Sequence, residues 1–244
     1  MPGIVSVLLA LLLPLFQEPS TDAEALLFRG EYAAAAARFE RMIQVNPTDD
    51  TARAGLIRAL LRQDRLPEAR KAEEDALELH PSSPAVLTAS GDLLMRSGKP
   101  ELAATQYAQA LMLKPGYGRA CLGMSRYYRF NFNRRSAKQM LEKAYEQNPS
   151  DPEIMVSYAW GCPVQKQIAL LSRVLALSYS DVGYTRQDIA DRIEYLQLLG
   201  ERRTWRLSGE PKPVVLELER VGRTYLVKAK INRKHSLTLL LDSG

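Results

Sequence analysis

From Asp22 to Leu199 apolar residues recur at helical spacing, and after Gly209 the spacing contracts to every second residue. The helical part is one unit copied several times. Prolines stand at Pro47, Pro81, Pro115 and Pro149, each 34 residues after the last. Twelve residues before each proline comes an alanine: Ala35, Ala69, Ala103 and Ala137. Five before stand Met42, Ala76, Ala110 and Ala144; seven before stand Glu40, Glu74, Ala108 and Glu142. A fixed period of this length is the mark of stacked repeats.

Each unit reads as helix, short turn, helix. The alanines suit close crossing of two helices, where a larger side chain would push the axes apart. A residue before proline is driven out of the helical region, so Asn46, His80, Lys114 and Asn148 mark helix ends. Ser83-Pro84 and Asp151-Pro152 read as cap followed by first helical residue. Gly30 and Gly98 fall at equivalent turns, where a positive φ is often needed. Gly116-Tyr117-Gly118 reads as a turn between units. A fifth copy is degraded: Met155, Tyr158, Ala159 and Trp160 suit its first helix and Ile168 to Ala176 its second, but Ala169 arrives two residues early. Thr185 caps a last helix to about Leu199, with Ile189, Ile193, Leu196 and Leu199 on one stripe, as expected of a terminal cap.

The pattern resembles the tetratricopeptide repeat. Gly91, Leu94, Tyr107, Ala110 and Pro115 sit at consensus positions, and the resemblance covers about 150 residues. It implies a curved α-solenoid whose first helices line the inner face, and a protein or peptide ligand in that groove. By register Arg58, Asp92, Met95, Arg119, Arg126 and Arg129 point inward. The arginines suit an acidic peptide or a terminal carboxylate; a solvated charged face is the alternative. The set does not match the lysine–asparagine carboxylate clamp of chaperone-binding members.

Beyond Gly209 the pattern predicts an antiparallel meander. Pro211 and Pro213 make a linker, and Val214 to Leu218 alternates as a first strand. Gly222 permits a tight turn. Tyr225, Val227, Ala229 and Ile231 share one face of a second strand, with Lys228 and Lys230 on the other. Asn232 to His235 reads as a turn, and Ser236 to Leu241 as a third strand. That strand runs into Asp242-Ser243-Gly244, which resembles the catalytic segment of retropepsin-like aspartic proteases. The resemblance covers about 213 to 244 and implies that Asp242 is one of two carboxylates sharing a proton. It further implies that Ser243 hydrogen-bonds across to a partner loop and that Gly244 lets substrate approach. A homodimer through this segment would supply the second Asp. The flap, the later strands and the second carboxylate are missing, so the chain ending at Gly244 is expected to be catalytically dead and a fragment of a longer protein.

Charge sharpens the division. Residues 201–244 carry ten Lys/Arg against five Asp/Glu, which accounts for the whole net charge of +5. The basic residues alternate with apolar ones, as on a solvated strand face, and no nucleic-acid partner is expected. The apolar run Ile4 to Phe16 is short for a bilayer and fits a signal-peptide core, so export to a periplasmic or secreted location is expected, with no stable membrane span unless the leader stays uncleaved. Cys121 and Cys162 sit seven register positions apart on neighbouring helices, an axial offset of about 10 Å, too far for a disulfide. Both read as small buried hydrophobes. His80 and His235 have no partners at ligand spacing, and neither a metal nor a cofactor is expected.

The expected architecture is mainly α: a leader or signal anchor (1–20), an α-solenoid of about five hairpins plus a capping helix (21–200), a linker (201–213), and a short, incomplete antiparallel β segment (214–244). The expected function is a protein-interaction scaffold attached to an aspartic endopeptidase segment. The alternative is a non-enzymatic exported adaptor with a small β module.

Overall fold

The computed structural model describes residues 19–180, 184–200, 219–221, 224–231 and 235–241. The leader run and the expected first strand at Val214 to Leu218 lie outside them. Two compact units divide near residue 202.

Among the described residues of the first unit, eleven helices pair into five hairpins and a cap. The hairpins are α1 (Pro19–Phe28) with α2 (Tyr32–Val45), α3 (Asp50–Arg62) with α4 (Leu66–Leu79), α5 (Pro84–Arg96) with α6 (Pro100–Leu113), α7 (Gly118–Phe130) with α8 (Arg134–Gln147), and α9 (Pro152–Ala159) with α10 (Val164–Ala176). The cap is α11 (Arg186–Leu199). The second helices end where proline dictates: Asn46, His80, Lys114 and Asn148 are the C-caps of α2, α4, α6 and α8. Three of the first helices start on side-chain caps. Asp49, Ser83 and Asp151 accept backbone N–H groups of α3, α5 and α9. The crossing alanines are shut from solvent, with Ala35, Ala69 and Ala103 at 0% exposure.

The turn inside each of the first four hairpins needs a positive φ at one position. It falls at Gly30, Asp64, Gly98 and Phe132, with φ of 82°, 60°, 71° and 56°. Only two of these four residues are the glycines the geometry favours.

The fifth hairpin departs from the pattern. Helix α9 has 8 residues where α3, α5 and α7 have 13, because Trp160-Gly161-Cys162-Pro163 turns the chain early. Leu171 then takes the register position of the crossing alanines and is fully buried. Together with Met155, Val174, Ile189, Ile193 and Leu196 it builds the largest apolar core, under the capping helix. Thr185 and Asp188 form a reciprocal capping box at the start of α11. Cys121 is buried, but Cys162 is only half-buried, because the early turn lifts it from the helix interior; both are free thiols.

The first hairpin of this unit meets the segment after the fifth. Ser180 donates its backbone N–H to the Phe28 carbonyl at 2.8 Å. The Phe28 and Tyr179 rings lie 6.4 Å apart. The turn after α1 therefore rests on the segment after α10.

The second unit holds β1 (Glu219–Val221), β2 (Thr224–Ile231) and β3 (His235–Leu241) in the antiparallel order β1-β2-β3. The described first strand lies at 219–221, after the expected one, and His235 opens β3 opposite Ile231 instead of standing in the turn. Val227 is buried and Lys228 exposed, as strand alternation requires. Lys228 Nζ lies 3.0 Å from a Glu219 carboxylate oxygen.

Candidate functional site

The first helix of every hairpin sends a charged side chain toward the inner side of the solenoid. Glu24, Arg58, Asp92 and Arg126 stand 34 residues apart, so one register position places them on α1, α3, α5 and α7. A second position gives Arg119 on α7 and Glu153 on α9, again 34 apart. Stacked repeats bring equal positions together, and here they alternate in sign.

Arg58 pairs with Glu24, and Arg126 approaches Asp92 at 3.9 Å. Arg119 reaches Asp151 at 2.8 Å, Glu153 at 3.4 Å and Glu24 at 3.6 Å. Glu153 receives three guanidiniums: Arg119, Arg126 and, at 2.6 Å, Arg62. Arg62 on α3 and Glu153 on α9 are separated by 91 residues. Their contact crosses the inner side of the unit.

Several of these groups line a half-open cavity of about 290 Å³. Arg58, Arg62, Asp92, Arg96, Arg126 and Glu153 line its charged part, while Leu27, Phe28, Tyr32, Met95 and Tyr179 supply a less polar wall. Tyr107 of α6 enters between Gly91 of α5 and Gly123 of α7; a Cβ at either glycine would fall 2.4 Å from its ring. That close passage lets the Tyr107 hydroxyl donate to Asp92 at 2.8 Å.

Burial and charge act against each other here. Burial pushes the Glu153 carboxyl up, but Arg126, Arg62 and Arg119 outweigh it and hold the group well below the usual carboxylate range. At Glu24 burial is likewise overcome, by Arg58 and Arg119. At Asp92 burial wins over the attraction of Arg126, so its pKa rises. Burial, reinforced by the Asp92 charge, pushes the Tyr107 phenol far up, leaving it a hydrogen-bond donor.

Of the residues the sequence pointed to, Arg58, Asp92, Met95 and Arg126 line the cavity, and Arg119 joins the same ion cluster from a neighbouring cleft. Arg129 is exposed and lies outside the cavity lining. The arginines are not vacant: Glu24, Asp151 and Glu153 already engage them, and the sequence reading missed all three acids as well as Arg62 and Tyr107. The signal for Glu24 and Glu153 was the alternation of sign at 34-residue spacing. Arg62 to Glu153 had no signal, because that contact depends on how far the solenoid curls. Asp242, Ser243 and Gly244 lie outside the described residues. Among the described residues no group of three or more His, Cys, Asp or Glu is arranged for a metal. No helix among them is long and apolar enough to cross a membrane.

Residues 26–93 match the tetratricopeptide repeat family. No curated protein matches the chain in sequence. Among solved structures, a thermophilic TPR protein of Thermus thermophilus superposes with a TM-score of 0.55 at 21% identity, over 75% of this chain and 99% of that one. The type IV pilus biogenesis factor PilW gives a TM-score of 0.47 at 15% identity, over 73% of this chain and 84% of its own. PilF of Pseudomonas aeruginosa gives 0.44 at 17%, over 74% and 89%. The last two are too distant to carry an argument, while the first shares the fold. The helical unit has the fold of a tetratricopeptide-type α-solenoid.

Proposed function

We propose that the helical unit is a protein-interaction scaffold and that its partner site is the inner cavity, which takes a peptide segment bearing a carboxylate. One observation carries this reading: side chains from α1, α3, α5, α7 and α9 converge on a single cavity in which Arg58, Arg62, Arg96 and Arg126 outnumber Asp92 and Glu153. Guanidiniums beside a less polar wall suit an acidic or C-terminal segment with an apolar neighbour. The test is fluorescence anisotropy with a labelled Glu-rich hexapeptide and a Lys-rich counterpart. Selective binding of the acidic peptide, weakened about fivefold by Arg96→Ala, supports the reading, since one exposed charge contact contributes about 1 kcal/mol. Equal binding of both peptides, or indifference to Arg96→Ala, overturns it.

A second reading concerns the β unit. Strand β3 ends at Leu241, immediately before Asp242, and it follows β2 as the second arm of a hairpin. That setting favours the resemblance to retropepsin-like aspartic endopeptidases, with Asp242 as one carboxylate of a dyad completed by a second copy. One carboxylate would activate water and the other protonate the carbonyl oxygen. Acid-range cleavage of a denatured protein substrate by the full-length polypeptide, lost in Asp242→Asn, supports it. No cleavage alongside intact peptide binding favours the non-enzymatic adaptor instead. Export rests on the apolar run Ile4 to Phe16, and fractionation of cells expressing the tagged protein tests it.

A further inference from the structure

The turn between α7 and α8 breaks two local rules at once. Its counterparts hold Gly30, Asp64 and Gly98 at the positive-φ position, but here Phe132 takes it, at 56°. Helices α4 and α6 carry Glu68 and Glu101 in their first turns, where the helix dipole favours an acid; α8 begins with Arg134 and Arg135. Neither choice stabilises the fold. Phe132 is 87% exposed and Phe130 60%, and neither belongs to an apolar core among the described residues. Every residue from 129 to 135 is exposed. The turn is nonetheless firmly built: Asn133 donates its backbone N–H to the Tyr128 carbonyl at 2.8 Å, and its side chain accepts the Ser136 N–H at 3.1 Å. A fixed backbone thus holds two rings out in water. Local rules broken without a gain in stability are expected where a surface serves a partner.

Charge around this turn has one sign. Residues 102–141 hold seven Lys/Arg and no Asp/Glu. Arg119 and Arg126 are engaged by acids of other helices. Arg129, Arg134 and Arg135 form no ion pair among the described residues, and Lys138 lies 3.8 Å from Glu142. We propose that the turn is a docking surface for an anionic lipid bilayer: Phe130 and Phe132 enter the interface, and Arg129, Arg134, Arg135 and Lys138 meet the lipid phosphates. Along the chain the rings sit at the middle of the turn with cations on both shoulders, which matches the layering of a bilayer surface, hydrocarbon beneath phosphate. An acidic protein surface would satisfy the cations but leave Phe132 in water unless it also held a ring-sized pocket. A bilayer offers phosphate and hydrocarbon together without prior fit. Docking here is independent of peptide binding in the cavity, whose lining contains none of these residues.

The test is cosedimentation of the full chain with vesicles of phosphatidylcholine alone or with about 30% phosphatidylglycerol. The expected result is binding to the anionic vesicles, lost in about 0.5 M salt, and none to the neutral ones. Phe132→Gly removes the ring while relieving the backbone, so the fold is kept; it should weaken vesicle binding about tenfold. The double variant Arg134→Gln with Arg135→Gln should weaken it about thirtyfold. A charge-matched control, Arg70→Gln with Lys71→Gln on the exposed face of α4, should bind as the parent does. Three results overturn the proposal: no binding of the parent chain to anionic vesicles, unchanged binding in Phe132→Gly, or an equal loss in the control, which would reduce the effect to net charge. A protein partner at this turn would show itself as vesicles left unbound while Phe132→Gly weakens the Glu-rich hexapeptide, and that also overturns the bilayer reading. With the bilayer reading correct, Phe132→Gly leaves the peptide titration unchanged, so failure of one reading is distinguishable from failure of the other.

Discussion

Phe132 is a residue in the wrong conformation for its type. It holds φ of 56° and is 87% exposed, at the register position where Gly30 and Gly98 sit. A left-handed conformation costs a residue with a Cβ about 1 kcal/mol, and an exposed ring gains little burial to offset it. Phe132→Gly should therefore stabilise the protein by about 0.5–1 kcal/mol, read as a higher urea midpoint with unchanged slope. Glu153 is the opposite case, a residue whose neighbours define it. Its folded pKa lies below its unfolded one, so the stability it contributes is complete above the ordinary value of 4.5 and drains away as pH falls below that. Glu153→Gln should cost about 3 kcal/mol near neutral pH, because it leaves guanidiniums short of a counter-charge. The gap to the wild type should narrow on acidification. A gap that stays constant with pH would show that Glu153 acts by packing alone.

At the scale of elements, most helix boundaries were legible because they rest on local chemistry. Proline forbids helical φ/ψ at the residue before it, and Ser83 and Asp151 cap from their own side chains. The fifth hairpin was only half legible. The sequence ended its first helix close to Ala159, but it did not reveal that the second would begin at Val164 and that Leu171 would take over the crossing. There the core under α11 leaves room for a larger side chain, and helix spacing follows the tertiary fit. Close passage of Tyr107 between α5 and α7 depends on two residues without a Cβ. Gly123→Ala should cost about 2 kcal/mol in denaturant unfolding, since the ring is held on its other side by Gly91 and at its hydroxyl by Asp92. A neutral result would mean that the ring can swing aside and that the Asp92 bond is dispensable.

For the helical unit as a whole, the decisive feature is that its first hairpin touches the segment after its fifth. The Cβ-to-Cβ separation of 3.6 Å available between positions 30 and 180 falls within disulfide range. Gly30→Cys with Ser180→Cys, in the Cys162→Ala background, should form a crosslink under mild oxidation, seen as faster migration on a non-reducing gel. Persistent free thiols in the folded protein would contradict contact between positions 30 and 180. The sequence by itself determined the repeat, its hairpins, its stops and the row of inward charges, because period, proline and small-residue crossings act over a few residues and repeat without drift. It also pointed to the hairpin of β2 and β3, since alternation is equally local. Only the tertiary structure decided that Arg62 meets Glu153 and Phe28 meets Ser180. Those contacts depend on the small rotation between neighbouring repeats summed over five hairpins, and no single repeat encodes that sum.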